Sequence, residues 1–176
     1  MKYSIPFFIL MSLAMMSSCD TNSGSSEETI LSEDFSDGSN WTFTTDDSTA
    51  NLFTIVKEEA MLTIEHPTGN DFASQLAYTG DKFTLKSGES YIISFDARGT
   101  RFVNMEIQEN DVDINNDRRR FTSYIDKDCD LIAENHIFSF EFTMPLTDDK
   151  PGLVFDFGRE PAGQVYLDNI KIRTTP

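Results

Sequence analysis

Short runs in which apolar and polar residues alternate fill the chain beyond residue 31, and this pattern constrains the fold more than any other feature. Successive side chains of a β-strand point to opposite faces of a sheet, so a period of two predicts strands with one buried face. No stretch has the apolar spacing of a helix of three turns. The clearest strand candidates are residues 91–97, 103–107, 138–142, 153–157 and 165–172, and the weaker ones are 41–44, 53–56, 61–64, 76–78 and 83–85.

Turn-forming residues separate these candidates, as in the stretches 67–70, 87–89, 148–152 and 161–163. About ten short strands with such spacing predict an all-β fold, a two-sheet antiparallel β-sandwich. The 15 Phe residues agree with this prediction. Two packed sheets lie roughly 10 Å apart, and bulky side chains are needed to fill the space between them.

The N-terminus predicts export. Lys2 precedes an uncharged, mostly apolar run at 5–16, the layout of a secretory signal. The run is too short to span a bilayer, which takes about 20 residues. Met16-Ser17-Ser18-Cys19 resembles a bacterial lipobox, with Met16 at the position that usually holds Leu, Val or Ile. We therefore predict a signal peptide at 1–18, a lipidated Cys19, a polar tether at 19–30 and a domain at 31–176, held by its lipid at the outer membrane or cell surface.

Charge and cysteine content exclude several functions. The formal net charge of -16 becomes -17 when the signal peptide and its single Lys are removed, and such a surface repels nucleic acid. If Cys19 carries lipid, Cys129 has no partner for a disulfide. The two histidines, His66 and His136, are too far apart in sequence for a zinc motif. Any bound metal would therefore be a hard cation with oxygen ligands.

The polar positions of the strands carry the functional information. If Tyr91, Ile93 and Phe95 point inward, the polar residues that alternate with them point out, because successive strand side chains lie on opposite faces. Applied to four strands, this places Ser94, Asp96, Arg98, Asn104, Glu106, Gln108, Ser139, Glu141 and Asp156 on an outer sheet face. Such a face could bind a ligand rich in hydroxyl groups. The alternative is an ordinary solvated sheet surface.

The segments 75–78 (Gln-Leu-Ala-Tyr) and 83–98 (Phe-Thr-Leu-Lys-Ser-Gly-Glu-Ser-Tyr-Ile-Ile-Ser-Phe-Asp-Ala-Arg) resemble the central signature of family 4 and family 9 type carbohydrate-binding modules. That signature has a strand with Gln, then a Leu, a Gly shortly before a Tyr, and a strand ending in Ala-Arg. Two further pieces agree in order: the opening Glu33-Asp34-Phe35-Ser36 with Gly38 and Trp41, and the closing Gly158 with residues 165–170.

The resemblance implies a galactose-binding-like jelly roll that binds a polysaccharide or oligosaccharide on its concave sheet, without catalysis, and that we expect to be monomeric. It implies that Phe72 stacks on a sugar ring, that Gln75 and Arg98 bind hydroxyl groups, and that Trp41 packs into the core. The strand faces add Glu106 and Gln108 to this candidate site, and the loop at 117–120 adds Arg119.

The resemblance also implies a structural calcium ion near the opening loop and the closing strand. Asp168 matches the acid of the closing strand. The family often has the partner acid where this chain has Ser36, so the partner here would be Glu33, Asp34 or Asp37. Carboxylates from distant segments suit this cation. The alternative is that these acids only decorate an acidic surface. Residues 111–117 lack the Gly and the bidentate Glu of an EF-hand and predict a solvated hairpin loop.

Two other functions remain open at this stage. A glycosidase needs two carboxylates about 5 to 10 Å apart, which could come from Asp96, Glu106, Glu141 and Asp156. A scaffold or adhesin-like module would bind another protein. The limited stacking surface of Phe72, compared with the Trp of the resembling modules, favours that third possibility.

Overall fold

The computed structural model describes residues 27–36, 38–109, 122–159 and 161–176. These residues form eleven strands and one short 3₁₀ turn, Asp71–Ala73. The strands are β1 Thr29–Glu33, β2 Trp41–Thr45, β3 Leu52–Val56, β4 Glu59–Ile64, β5 Ser74–Tyr78, β6 Ser90–Gly99, β7 Phe102–Gln108, β8 Ser123–Asp130, β9 His136–Thr143, β10 Gly152–Asp156 and β11 Gly163–Thr174.

The strands form two sheets in which every pair is antiparallel. The six-stranded sheet has the order β3-β4-β11-β6-β9, with β1 also paired to β11. The five-stranded sheet has the order β2-β5-β10-β7-β8. The predicted two-sheet antiparallel β-sandwich is confirmed.

Aromatic side chains fill the space between the sheets. Phe95 of β6 packs edge-on against Phe155 of β10, with 5.1 Å between ring centroids, and stacks on Phe138 at 5.3 Å. Trp41 is only 6% exposed and lies 5.0 Å from the ring of Phe35. The prediction that Trp41 belongs to the core is therefore confirmed.

β11 lies at the centre of the six-stranded sheet and keeps one face buried along its whole length. Its first half pairs with β4, its second half pairs with β1, and β6 runs along its other side. The register shifts between Asp168 and Lys171, where Asn169 has a φ of 50°. This bulge allows Val165, Leu167, Ile170 and Ile172 all to point inward although their spacing is two, three and two.

Strand prediction failed where the apolar pattern was weak. β8 was not predicted, because only Ile125 and Cys129 are apolar at its buried positions and acids occupy the outward ones. Residues 83–85 were predicted as a strand, yet they form only an isolated bridge from Leu85 to Asp148. The side chains of Phe83 and Leu85 pack into the core from a connection between the two sheets.

The predicted signal peptide, Cys19 and most of the tether lie outside the described residues. Among the residues that are described, no helix is long and apolar enough to cross a membrane. β1 begins at Thr29, two residues before the predicted domain boundary.

The Phe95→Ala variant should lose about 3–5 kcal/mol of unfolding free energy, because the ring is fully buried and touches aromatic residues of both sheets. Urea denaturation measures this loss. Ile137→Ala removes a side chain that is 66% exposed on the neighbouring strand and should change stability by less than about 0.5 kcal/mol. Equal losses in the two variants would contradict this description of the core.

Candidate functional site

A row of polar side chains crosses the outer face of the five-stranded sheet. The strand register places Gln75 of β5 opposite Asp156 of β10, Asp156 opposite Asn104 of β7, and Asn104 opposite Asp128 of β8. All four residues point away from the core, because their strand neighbours, such as Leu76 and Phe155, point into it. Four strands that are distant in sequence therefore contribute to one line of polar groups.

Hydrogen bonds join neighbouring members of the row. Gln75 Nε2 donates to Asp156 Oδ1 at 2.9 Å. Asn104 Nδ2 donates to Asp128 Oδ1 at 2.9 Å and to Asp126 Oδ1 at 2.6 Å. These bonds hold the amide groups in fixed orientations.

A second group extends the row along β7 and β8. Gln108 Nε2 donates to Glu106 Oε2 at 3.2 Å, and the hydroxyl of Ser123 donates to the same oxygen. Glu106 lies opposite Asp126 in the register. We use the term polar face for the outward side chains of Gln75, Asn104, Glu106, Gln108, Ser123, Asp126, Asp128 and Asp156.

Four residues on β7 and β10 make the middle of the polar face recessed, unlike a solvated sheet surface, whereas Asp126 and Asp128 on β8 are exposed. Asp156 is only 2% exposed and Asn104 4%, while Glu106 and Gln108 are each 7% exposed. On the outer face of the six-stranded sheet, by contrast, Ser139 and Glu141 are exposed. Burying carboxylates and amides is unfavourable unless hydrogen bonds compensate. Their presence here, outside the core, marks this face as the candidate site and argues against the solvated alternative for these four residues.

The prediction that Arg98 shares a face with Glu106 and Gln108 is wrong. β6 and β7 are separated by only Thr100 and Arg101, yet they belong to different sheets. Arg98 therefore lies on the outer face of the six-stranded sheet.

At that position Arg98 forms a bidentate ion pair with Glu59. Its Nη2 lies 2.7 Å from Glu59 Oε2, and Nη1 binds the other carboxylate oxygen. The guanidinium also lies over the ring of Tyr166, 4.1 Å from its centroid. The hydrogen bonds from Arg98 lower the pKa of Glu59. These contacts account for Arg98 without a ligand.

The residue expected to stack on a sugar, Phe72, precedes the polar face in the chain. Phe72 is in the 3₁₀ turn immediately before β5 and is 51% exposed. Asn70 caps this turn by accepting a hydrogen bond from the backbone N–H of Phe72 at 3.3 Å. Phe72 thus belongs to the segment that leads into Gln75. Arg119, also expected at this site, lies outside the described residues.

The carboxylates considered for a glycosidase divide between the two sheets. Asp96 and Glu141 are on β6 and β9 of the six-stranded sheet, whereas Glu106 and Asp156 are on adjacent strands of the other sheet. Glu106 lies opposite Val154, so Asp156 is its diagonal neighbour. Both carboxylates accept hydrogen bonds within the polar face.

The described acids of the expected calcium site are Glu33, Asp34 and Asp168. The carboxylate of Glu33 accepts hydrogen bonds from Asn40 Nδ2, at 3.1 and 3.3 Å. Asp168 lies at the β11 bulge, where burial raises its pKa and the charges of Glu59, Asp96 and Asp34 raise it further. Among the described residues no group of three acids, histidines or cysteines has metal-binding geometry. Asp37 lies outside them.

Three members of the polar face, Ser123, Asp126 and Asp128, were not found by sequence reasoning. They belong to β8, whose apolar pattern is too weak to indicate a strand. No local signal could have placed them beside Asn104 and Glu106, because the pairing depends on the β7–β8 register.

Comparison with known proteins gives a fold without a family assignment. No protein-family model matches the sequence, and no curated protein does. Among solved structures, the fold is similar to a CBM4 carbohydrate-binding module (TM-score 0.63, 21% identity, 84% of this chain and 95% of that chain). It is also similar to the second N-terminal cellulose-binding domain of Cellulomonas fimi β-1,4-glucanase C (0.63, 20%, 86% and 97%). A third similar structure holds the CBM22-1 and GH10 modules of Clostridium thermocellum xylanase 10B with xylohexaose (0.58, 12%, 84% and 28%). The chain therefore has the jelly-roll sandwich of carbohydrate-binding modules.

The Glu59→Gln variant should be less stable than the parent by about 1 kcal/mol near neutral pH, because it loses a partly buried ion pair. The pKa of Glu59 is lowered in the folded state, so this stabilisation is present above the ordinary glutamate pKa. It is lost as the pH falls through the lowered value. Urea denaturation from neutral to acid pH should show the two curves converging, whereas Glu141→Gln should follow the parent throughout. A difference that persists in acid would contradict the ion-pair explanation.

Proposed function

We propose that this protein binds glycans without catalysis, and that the ligand lies along the polar face of the five-stranded sheet, with Phe72 at one end. The observation that carries the proposal is the row of Gln75, Asp156, Asn104 and Asp128, which come from four strands and whose two central members, Asp156 and Asn104, are almost fully buried. A folded domain gains no stability from burying these groups in place of apolar ones. A row of hydrogen-bonding groups suits a ligand with a hydroxyl at nearly every carbon.

The fold supports the proposal by analogy. Similar structures include a cellulose-binding domain and an enzyme fragment complexed with xylohexaose. Their sequence identity to this chain is low, so the argument for function comes from the site. We take the five-stranded sheet to be the concave, ligand-binding one.

We further propose that the protein is a lipoprotein anchored to a bacterial membrane through Cys19, as its N-terminal sequence predicts. The orientation of the strands supports this arrangement. The backbone N–H of Thr174 donates to the Glu28 carbonyl at 2.9 Å and that of Thr175 to the Ser90 carbonyl at 2.9 Å, so β1 and β6 begin at the same end of the sandwich. The C-terminal end of β5 connects through residues 79–89 to the start of β6 and therefore lies towards the end of the sandwich where β1 begins. Gln75 is near the start of β5, towards the opposite end. A tethered domain would therefore present the row of Gln75 away from the membrane.

The Gln75→Ala and Phe72→Ala variants should each weaken binding to a retained polysaccharide by about 10-fold, equivalent to about 1.4 kcal/mol. Affinity gel electrophoresis against a panel of neutral polysaccharides measures this. Arg98→Ala is the matched control, since it removes a polar side chain from the other sheet and should leave retention unchanged. Urea denaturation of all three variants separates loss of binding from unfolding.

Two other outcomes would contradict the proposed binding site. If Arg98→Ala abolished retention while Gln75→Ala did not, the ligand would lie on the six-stranded sheet. If the parent bound no polysaccharide but copurified with a protein, the scaffold alternative would be favoured.

Calcium binding near the β11 bulge remains a prediction from the resemblance. Isothermal titration with calcium, on the parent and on Asp168→Asn, checks it directly. A calcium site that includes Asp168 would give binding to the parent, a higher melting temperature with calcium, and the loss of both in the variant. Unchanged melting temperatures with calcium and with a chelator would contradict the predicted calcium site.

A further inference from the structure

The hydrogen bonds described above within the polar face all have a carboxylate as the acceptor. Gln75 donates to Asp156, Asn104 donates to both Asp126 and Asp128, and the amide of Gln108 and the hydroxyl of Ser123 donate to Glu106. Every donation ends on a carboxylate of the same face. The two N–H groups of Asn104 are therefore both used within the protein.

Most of the hydrogen-bonding capacity that remains for a ligand is that of acceptors, beside one further N–H each on Gln75 and Gln108. The carbonyl oxygen of Asn104 is buried and has no hydrogen-bond partner among the described residues. A carboxylate oxygen can accept more than one hydrogen bond, so Glu106, Asp126 and Asp128 retain capacity after accepting the bonds described above. An unpartnered buried acceptor is unfavourable, and a donor from a ligand would relieve it.

The same groups give the polar face a negative charge. Glu106, Asp126, Asp128 and Asp156 carry four carboxylates. Arg159 contacts one of them: its Nη1 lies 3.5 Å from Asp128 Oδ2. Lys127 is on β8 between Asp126 and Asp128, and strand alternation points it to the opposite face.

Two aromatic residues neighbour the polar face. Phe102 shares the outer face of β7 with Asn104, and the guanidinium of Arg159 lies over its ring, 5.0 Å from the centroid. Phe72, in the segment that leads into Gln75, is 51% exposed. Along the eight polar residues themselves, hydrogen bonding and charge must decide which sugars bind. Charged groups that repel a competitor give specificity as effectively as those that attract the ligand.

We infer, on the basis of the proposed function, that the polar face selects glycans that donate hydrogen bonds: it binds amino sugars most tightly, neutral sugars next, and sugars bearing carboxylate or sulfate groups least. A protonated amine supplies several N–H donors and a positive charge. Neutral sugars supply hydroxyl donors alone. A uronate or sulfate places another anion beside four carboxylates.

Titration calorimetry with three β-1,4-linked oligosaccharides of equal length tests this order: a glucosamine oligomer, a glucose oligomer and a uronic acid oligomer. At about pH 5.5 and about 20 mM salt, where surface charges are weakly screened, the glucosamine oligomer should bind at least about 10-fold more tightly than the uronate. Added salt should reduce that ratio, because exposed charges act through the solvent.

The Asp126→Asn/Asp128→Asn variant keeps the shape of both side chains and removes two charges from the polar face. It should bring the three affinities closer together. Glu134→Gln/Glu141→Gln removes the same charge from exposed positions outside the five-stranded sheet and should preserve the order.

The outcomes separate this inference from the proposed function. Binding of the glucose oligomer at least as tightly as the glucosamine oligomer, or tightest binding of the uronate, would overturn the inference and leave glycan binding intact. Failure to bind any of the three would count against both. A loss of the order in the Glu134/Glu141 control as well would show that net charge, rather than the polar face, sets the preference.

Discussion

Packing between the two sheets is the interaction on which the rest of the structure depends. Phe95 of one sheet and Phe155 of the other meet at 5.1 Å in the centre of the sandwich, and Trp41 lies 6.1 Å from Phe155. Each buried ring fixes the direction of its own strand's side chains, because neighbours along a strand point to opposite faces. With Phe155 inward, Asp156 must point out.

Strand pairing then brings the outward polar residues of different strands together into one site. β10 lies between β5 and β7, so the residue beside Phe155 is brought opposite Gln75 on one side and Asn104 on the other. A slip of one residue in either pairing would turn the polar residues into the core, which the buried apolar face prevents. The row is therefore held by the core beneath it as well as by its own hydrogen bonds.

The two outer faces of the sandwich differ in physical character. On the six-stranded sheet, Arg98 is neutralised by Glu59 and covered by Tyr166, and no ligand is needed to explain its position. On the five-stranded sheet, Asn104, Glu106, Gln108 and Asp156 are shielded from solvent, and the side-chain oxygen of Asn104 has no hydrogen-bond partner among the described residues. This asymmetry supports glycan binding at the polar face, with the negative charge of the face as the basis of its selectivity.

The sequence by itself determined the class of fold and the inward residues of most strands, because a period of two in apolar residues directly reports one buried face. It identified Asn104, Glu106, Gln108 and Asp156 as outward and polar for the same reason, and Gln75 through the resemblance to carbohydrate-binding modules. Local alternation carries no information about which strands share a sheet. Only the tertiary structure separated Arg98 from Glu106, since a connection of two residues carries the chain from one sheet to the other. Only the β7–β8 pairing brought Asp126 and Asp128 beside Asn104, because β8 is held by its neighbour rather than by a strong apolar pattern of its own.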